Sequence, residues 1–164
     1  MTLLHRLLNL PARVLYLALF LVATGLLSFG LYLQHGLGLE PCPMCIMQRY
    51  AFATAALIAL IAGLHAPGRS GERVYAALIG ASSLTGGGIA ARQSWMQIDP
   101  PLIPECGPGL EFMLESFPLA QALPMIFRGA GDCTVVEWTF LGLSIANWSL
   151  VSFTATVLFA GWML

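Results

Sequence analysis

Lysine is missing altogether from these 164 residues, and only 9% of them are charged. A water-soluble domain of this size displays far more ionic surface than that, so the chain reads as a membrane protein. Its basic residues are all arginines, scattered singly, which leaves no basic patch for nucleic acid. A glycine motif that could cradle phosphate is lacking too. His5, His35 and His65 lie near expected helix ends without ligand spacing. Of the four cysteines, Cys42, Cys45, Cys106 and Cys133, only the first two are close in the chain, whereas structural zinc sites usually show two close pairs. No metal site is expected.

What the chain has in abundance is apolar sequence, 58% of it hydrophobic. About 20 apolar residues cross a bilayer as a helix, and four segments qualify: 14–33, 45–64, 74–91 and 144–164. The expected fold is therefore all-α, a four-transmembrane-helix bundle. Residues 1–164 form a single integral-membrane domain, with outer loops 34–44 and 92–143. Ser82, Ser83, Thr85 and the run Gly86-Gly87-Gly88 weaken the third segment. Small residues in a membrane helix mark close packing, and the glycines are read that way. Arg6 and Arg13 precede the first apolar run, as in a signal peptide. That run is longer than an h-region of roughly 7–15 residues and no A-x-A site follows, so it reads as a retained anchor.

Orientation follows from arginine. Both ends and the loop from His65 to Arg73 share one side, with Arg6, Arg13, Arg69 and Arg73 against Glu72. The other side holds Arg92 and Arg128 with Glu40, Asp99, Glu105, Glu111, Glu115, Asp132 and Glu137. The positive-inside rule makes the termini cytoplasmic. The outer side, in a bacterium the periplasm, then receives all four cysteines, in a compartment where disulfides persist. Three pairings are possible, and close spacing makes Cys42 with Cys45 and Cys106 with Cys133 the economical one. The second pair lies in a loop broken by Pro100, Pro101, Pro104, Pro108, Pro118 and Pro124, which excludes a continuous helix. Within it, Leu110 to Phe117 and Leu123 to Phe127 suit short interfacial helices.

The CxxC itself, Cys42-Pro43-Met44-Cys45, stands where one apolar segment has ended and the next begins. A helix N-terminus and a nearby cation favour the thiolate, and Arg49 lies one turn beyond Cys45. Residues three and four apart share a helix face, so Gln48 and Arg49 lie beneath Cys45, toward the bilayer. Charges in membrane segments are costly and usually functional, although a lysine or arginine near a helix end also snorkels to the interface. Gln93 and Gln97, four apart at the end of the third helix, are candidates to face the same site. Amides at a helix end also commonly bond water or free carbonyls. Trp95, Trp138, Trp148 and Trp162 suit interfacial belts or helix contacts.

The stretch from Glu40 to Ala51 (Glu-Pro-Cys-Pro-Met-Cys-Ile-Met-Gln-Arg-Tyr-Ala), Gln93 to Gln97, Gly131-Asp132-Cys133 and Trp138-Thr139-Phe140-Leu141-Gly142 together resemble the disulfide bond formation protein B (DsbB) family. The resemblance covers nearly the whole chain. It implies an inner-membrane thiol:quinone oxidoreductase, part of the relay of DsbA, DsbB and quinone that keeps the periplasm oxidising. On the family pattern, a reduced periplasmic thioredoxin-like dithiol oxidase, DsbA-like, would attack the Cys106 to Cys133 disulfide at Cys106. Electrons would pass to Cys42 and Cys45 through a transient bond between Cys42 and Cys133, then to a membrane quinone, ubiquinone or menaquinone, beside Cys45. The implied cofactor-binding set is Arg49, Gln97, Gln48 and Gln93. The family favours Gln97. Gln93 stands where many relatives carry a different polar residue, and Gln48 where some carry an acid that would neutralise Arg49.

Two other readings compete. A vitamin K epoxide reductase-like enzyme also couples CxxC to a quinone, but there the loop pair precedes the CxxC. A membrane scaffold stapled by structural disulfides would have no reason to place Arg49 beside a CxxC, and a CxxC disulfide closes too little chain to stabilise much.

Overall fold

Proline, glycine and serine set the helix ends. In a computed structural model describing residues 11–100, Pro118 and 133–164, helix α1 (Ala12–Leu37) begins after Pro11 and stops at Gly38, left-handed at φ 70°. That conformation costs glycine little and closes a helix C-terminus. Helix α2 (Pro43–His65) has Cys42 as its N-cap and Pro43 in its first turn, where a missing N–H loses nothing. It ends at Ala66, left-handed at φ 44°, just before Pro67. Helix α3 (Arg69–Ile98) carries Glu72 in its first turn, favourable to the helix dipole, and ends before Asp99-Pro100. Helix α4 (Ile145–Met163) is capped by Ser144, whose Oγ accepts the Asn147 N–H at 3.3 Å. All four are long and apolar enough to cross a membrane.

Several boundaries depart from the sequence expectation: α1 runs on to Leu37, into the expected loop 34–44, and α3 begins at Arg69, within the loop expected from His65 to Arg73. Residues 92–98 lie beyond the expected span 74–91 and continue α3, with Gln93 and Gln97 at its end as expected, because Gln93, Ser94 and Met96 are buried and tertiary contacts outweigh the weak hydropathy. At 30 residues and 1.5 Å per residue, α3 is about 45 Å long, longer than the ~30 Å hydrocarbon core. The far end of the expected loop 92–143 forms a hairpin, strand β1 (Thr139–Phe140) against β2 (Leu143–Ser144), antiparallel. Its two-residue turn puts Leu141 at φ 53° and Gly142 at φ 78°, the double positive φ of a tight hairpin turn. Cys106, the candidate interfacial helices and all the loop prolines except Pro100 and Pro118 lie outside the described residues.

Helix α1 packs on α2, α2 on α3 and α3 on α4. Among the described residues, three clusters stack along the bundle. Cys42, Met44, Ile89, Met96 and Cys133 form one at the CxxC end. Phe52, Ala90 and Phe153 form the middle, with Leu27 and Leu150 against them, and Phe52 stacks on Phe153 at 3.9 Å. Tyr16, Ala59, Ala62 and Ile79 form the third, at the opposite end. The glycine run acts in packing through its first member. A Cβ on Gly86 would lie 2.3 Å from the Phe153 ring and 2.8 Å from the Ala51 Cβ. Gly87 only brushes Phe153, and Gly88 faces open space.

Candidate active site

The CxxC is built by the start of α2. The extended backbone of Cys42 lets its Sγ accept the Cys45 N–H at 3.4 Å, as a serine does at other N-caps. Pro43 enters the helix directly, and the turn that follows brings the Cys42 and Cys45 sulfurs to 3.0 Å. Cys42 is buried and Cys45 half-buried. The Cys133 thiol reaches the same place, hydrogen-bonded with Cys42 and fully buried. Hydrogen bonds with Cys133 and Cys45, together with burial, push the Cys42 thiol well above the ordinary cysteine range. Cys133 is thus the immediate neighbour of Cys42.

The glutamines occupy different places. Gln93, from α3, donates its Nε2 to Cys42 Sγ at 3.3 Å and to Cys45 Sγ at 3.2 Å. Gln48, one turn beyond Cys45 on α2, donates to Gln93 Oε1 at 2.7 Å, and both amides are buried. Gln97 sits one turn further along α3 and accepts from Ser144 Oγ at 2.6 Å. Arg49 turns toward α1, donating to Gln34 Oε1 and, at 3.1 Å, to the Gly30 carbonyl.

These groups share one cavity of about 640 Å³. Leu26, Phe29 and Leu33 of α1, Phe52 of α2, and Ile145 and Trp148 of α4 line it, together with Val135, Trp138 and Phe140 from the chain leading into the hairpin. Cys42, Cys45, Gln48, Arg49, Gln93 and Gln97 form part of its polar wall, together with Glu40, Glu137 and serines of the hairpin and α4. The hairpin is held against it by aromatic contacts. Trp138 stacks on Phe140 at 6.1 Å and meets Phe29 edge-on at 5.7 Å, and the Trp148 indole donates to the Phe140 carbonyl at 3.0 Å.

Every candidate site residue within the described residues thus gathers at one end of the bundle, whereas Cys106 lies outside them. Reasoning on sequence missed Gln34 and Gly30 as the partners of Arg49, and Ser144 as the partner of Gln97. Signals for two of them were present: a lone glutamine in the last turn of an apolar helix, and a serine immediately before one.

Comparison with known proteins agrees with the chemistry of this site. A family model described as disulfide bond formation protein DsbB matches residues 12–163. A disulfide bond formation protein B of Azoarcus sp. is 66% identical over 152 residues, covering 93% of this chain and 92% of its own. That of Aromatoleum aromaticum is 69% identical over 148 residues, covering 90% and 89%. That of Hahella chejuensis is 49% identical over 145 residues, covering 88% of each.

Proposed function

From the premise that this chain belongs to the disulfide bond formation protein DsbB family, and is thus a multi-pass membrane disulfide oxidoreductase, we propose that it passes two electrons from a DsbA-like thioredoxin-fold partner to a membrane quinone. The observation that carries this reading is the cavity, an apolar chamber with the CxxC sulfurs in its wall and donors around them. Its volume, about 640 Å³, lies within the range of small-molecule sites.

A quinone head group has a flat apolar ring and two carbonyl oxygens, and the lining suits both. Phe29, Phe52, Trp138 and Trp148 offer aromatic faces, while Arg49 and Gln97 offer N–H groups. A quinone bound here supplies the two-electron acceptor. Arg49, fixed by α1, holds positive charge at the cavity wall beside Cys45, where a preorganised donor stabilises negative charge without rearranging.

Upstream of the cavity the work is thiol exchange. The partner's thiolate attacks Cys106 of the Cys106 to Cys133 disulfide, and Cys133 leaves with the electron pair. A second partner thiolate releases the oxidised partner and leaves Cys106 reduced. The Cys133 thiolate then attacks Cys42, the Cys42 to Cys45 bond breaks, and Cys45 takes up the electron pair. Attack of Cys106 on Cys133 re-forms the loop disulfide and frees Cys42. The contact between Cys42 and Cys133 supports this route. The arginine distribution favours the bacterial inner membrane with cytoplasmic termini and periplasmic cysteines.

The test uses the purified protein with quinone and a reduced thioredoxin-like partner. One quinone should be reduced for each disulfide made, and Cys133→Ser should trap the partner on Cys106. An absence of quinone consumption, or an adduct on Cys45 instead, would overturn the reading.

A further inference from the structure

We propose that Gln93 is a catalytic residue of the dithiol, donating its N–H to whichever sulfur of the pair carries negative charge, and that Gln48 is the positioning residue that fixes this polarity. The proposal rests on the reading of Cys42 and Cys45 as an exchanging pair, and it moves both glutamines from the cofactor to the sulfurs.

The geometry is specific. A carboxamide presents a donor on one side and an acceptor on the other, and only the donor side can stabilise a thiolate. In Gln93 the Nε2 stands nearly equidistant from the two sulfurs, at 3.3 and 3.2 Å. Its Oε1 accepts from Gln48 Nε2 at 2.7 Å and, over a longer 3.7 Å, from the Cys45 thiol when that is protonated. Gln48 therefore holds the oxygen, and holding it keeps the nitrogen facing the sulfurs. Burial of both amides, each 3% exposed, makes rotation costly, because a buried amide that turns away from its partner leaves polar groups unpaired.

The exchange step uses this donor directly. When the Cys133 thiolate attacks Cys42, the new bond joins Cys133 to Cys42 and the bond from Cys42 to Cys45 breaks. The electron pair stays on Cys45, and Gln93 Nε2 is already within hydrogen-bond distance of that sulfur. When Cys106 then attacks Cys133, the bond from Cys133 to Cys42 breaks and its electron pair stays on Cys42, which the same N–H also reaches. An uncharged amide does this without gaining or losing a proton, so its help does not depend on its own protonation state.

The experiment isolates the dithiol from both ends of the relay. Full-length protein is reduced and freed of quinone and partner, and iodoacetamide alkylation of Cys45 is followed across pH with mass-spectrometric location of the adduct. Gln93→Met, similar in size without a donor, should slow alkylation at neutral pH roughly tenfold, the scale of a hydrogen bond to a charged group, and displace the profile to higher pH. Gln48→Glu keeps the size but can only accept when ionised, so it turns the Gln93 nitrogen toward itself and its oxygen toward the sulfurs. It should slow Cys45 comparably although Gln93 is intact. Wild-type profiles in both variants would overturn the proposal, as would lowered melting temperatures with unmoved profiles, the mark of a purely structural role. Slowed alkylation in a protein that reduces no quinone would sink the quinone reading alone. Quinone reduction with unmoved profiles would sink this proposal alone.

Discussion

At one end of the bundle the helices close on alanine, and at the other they stand apart around sulfur and amide. Tyr16, Ala59, Ala62 and Ile79 are all fully buried at the closed end. Tyr16 meets the Phe159 ring edge-on at 6.3 Å and donates its hydroxyl to the Glu72 carbonyl at 2.7 Å. A Cβ on Gly63 would come within 2.7 Å of Leu17. The closed half of α2 repeats small residues, Ala55, Ala59, Ala62 and Gly63, which let neighbouring backbones approach when lipid itself offers no hydrophobic drive. The other half, Met44 to Arg49, carries long side chains and two polar heads. That half of α2 borders the cavity. One helix therefore fastens the bundle with its small residues and opens a chamber with its large ones, so stability and chemistry are separated along its length.

That separation is best broken at Arg49. Arg49→Met should lower quinone-dependent turnover by about 10²-fold, the scale of losing one preorganised donor, while the Cys106 to Cys133 disulfide still forms. Steady-state quinone reduction beside thiol mapping measures both. An unchanged rate would mean that the arginine only ties α2 to Gln34 and Gly30. Ile79→Ala at the closed end should behave in the opposite way. Lipid is as apolar as the bundle interior, so mainly the cavity left behind counts, about 2 kcal/mol. Denaturant unfolding in detergent should show that loss, with turnover per folded molecule unchanged. A fall in turnover at fixed folded fraction would show the two ends to be coupled.

The four helices were legible because apolar length is a strong signal, and the cysteine end because CxxC with Arg49 is distinctive. The last turns of α3 were legible only in part, since Gln93 and Gln97 were expected at its end although the apolar span was expected to stop at 91. Arg92, Gln93, Ser94 and Gln97 lower the local hydropathy, and the burial of Gln93, Ser94 and Met96 keeps the segment helical. The hairpin left no trace. Its strands are two residues each, too short for an alternating pattern, and Leu141 occupies a positive-φ position where glycine or asparagine would have signalled a turn. Gln93 illustrates a subtler limit. Its spacing from Gln97 suggested a shared role, yet Gln93 touches both sulfurs while Gln97 takes the Ser144 hydroxyl. A periodicity can place two residues on one face, but it does not say which neighbours each will meet.

Ser144 offers the smallest and most discriminating test of the open end. Its hydroxyl accepts the Asn147 N–H as the cap of α4 and donates to Gln97 Oε1, so one side chain joins the start of α4 to the end of α3 beside the cavity. Ser144→Ala removes both bonds. Loss of an N-cap costs about 1 kcal/mol, and the measured stability should fall by that order. The freed Gln97 amide should turn within the cavity wall and alter how a head group is seated. Its effect should therefore appear as a raised KM for quinone with kcat little changed, since an interaction made equally in ground and transition states affects binding alone. A lowered kcat with unchanged KM would place Gln97 in the chemistry of electron transfer instead. Stability loss with unchanged kinetics would confine Ser144 to capping α4 and remove Gln97 from the quinone site.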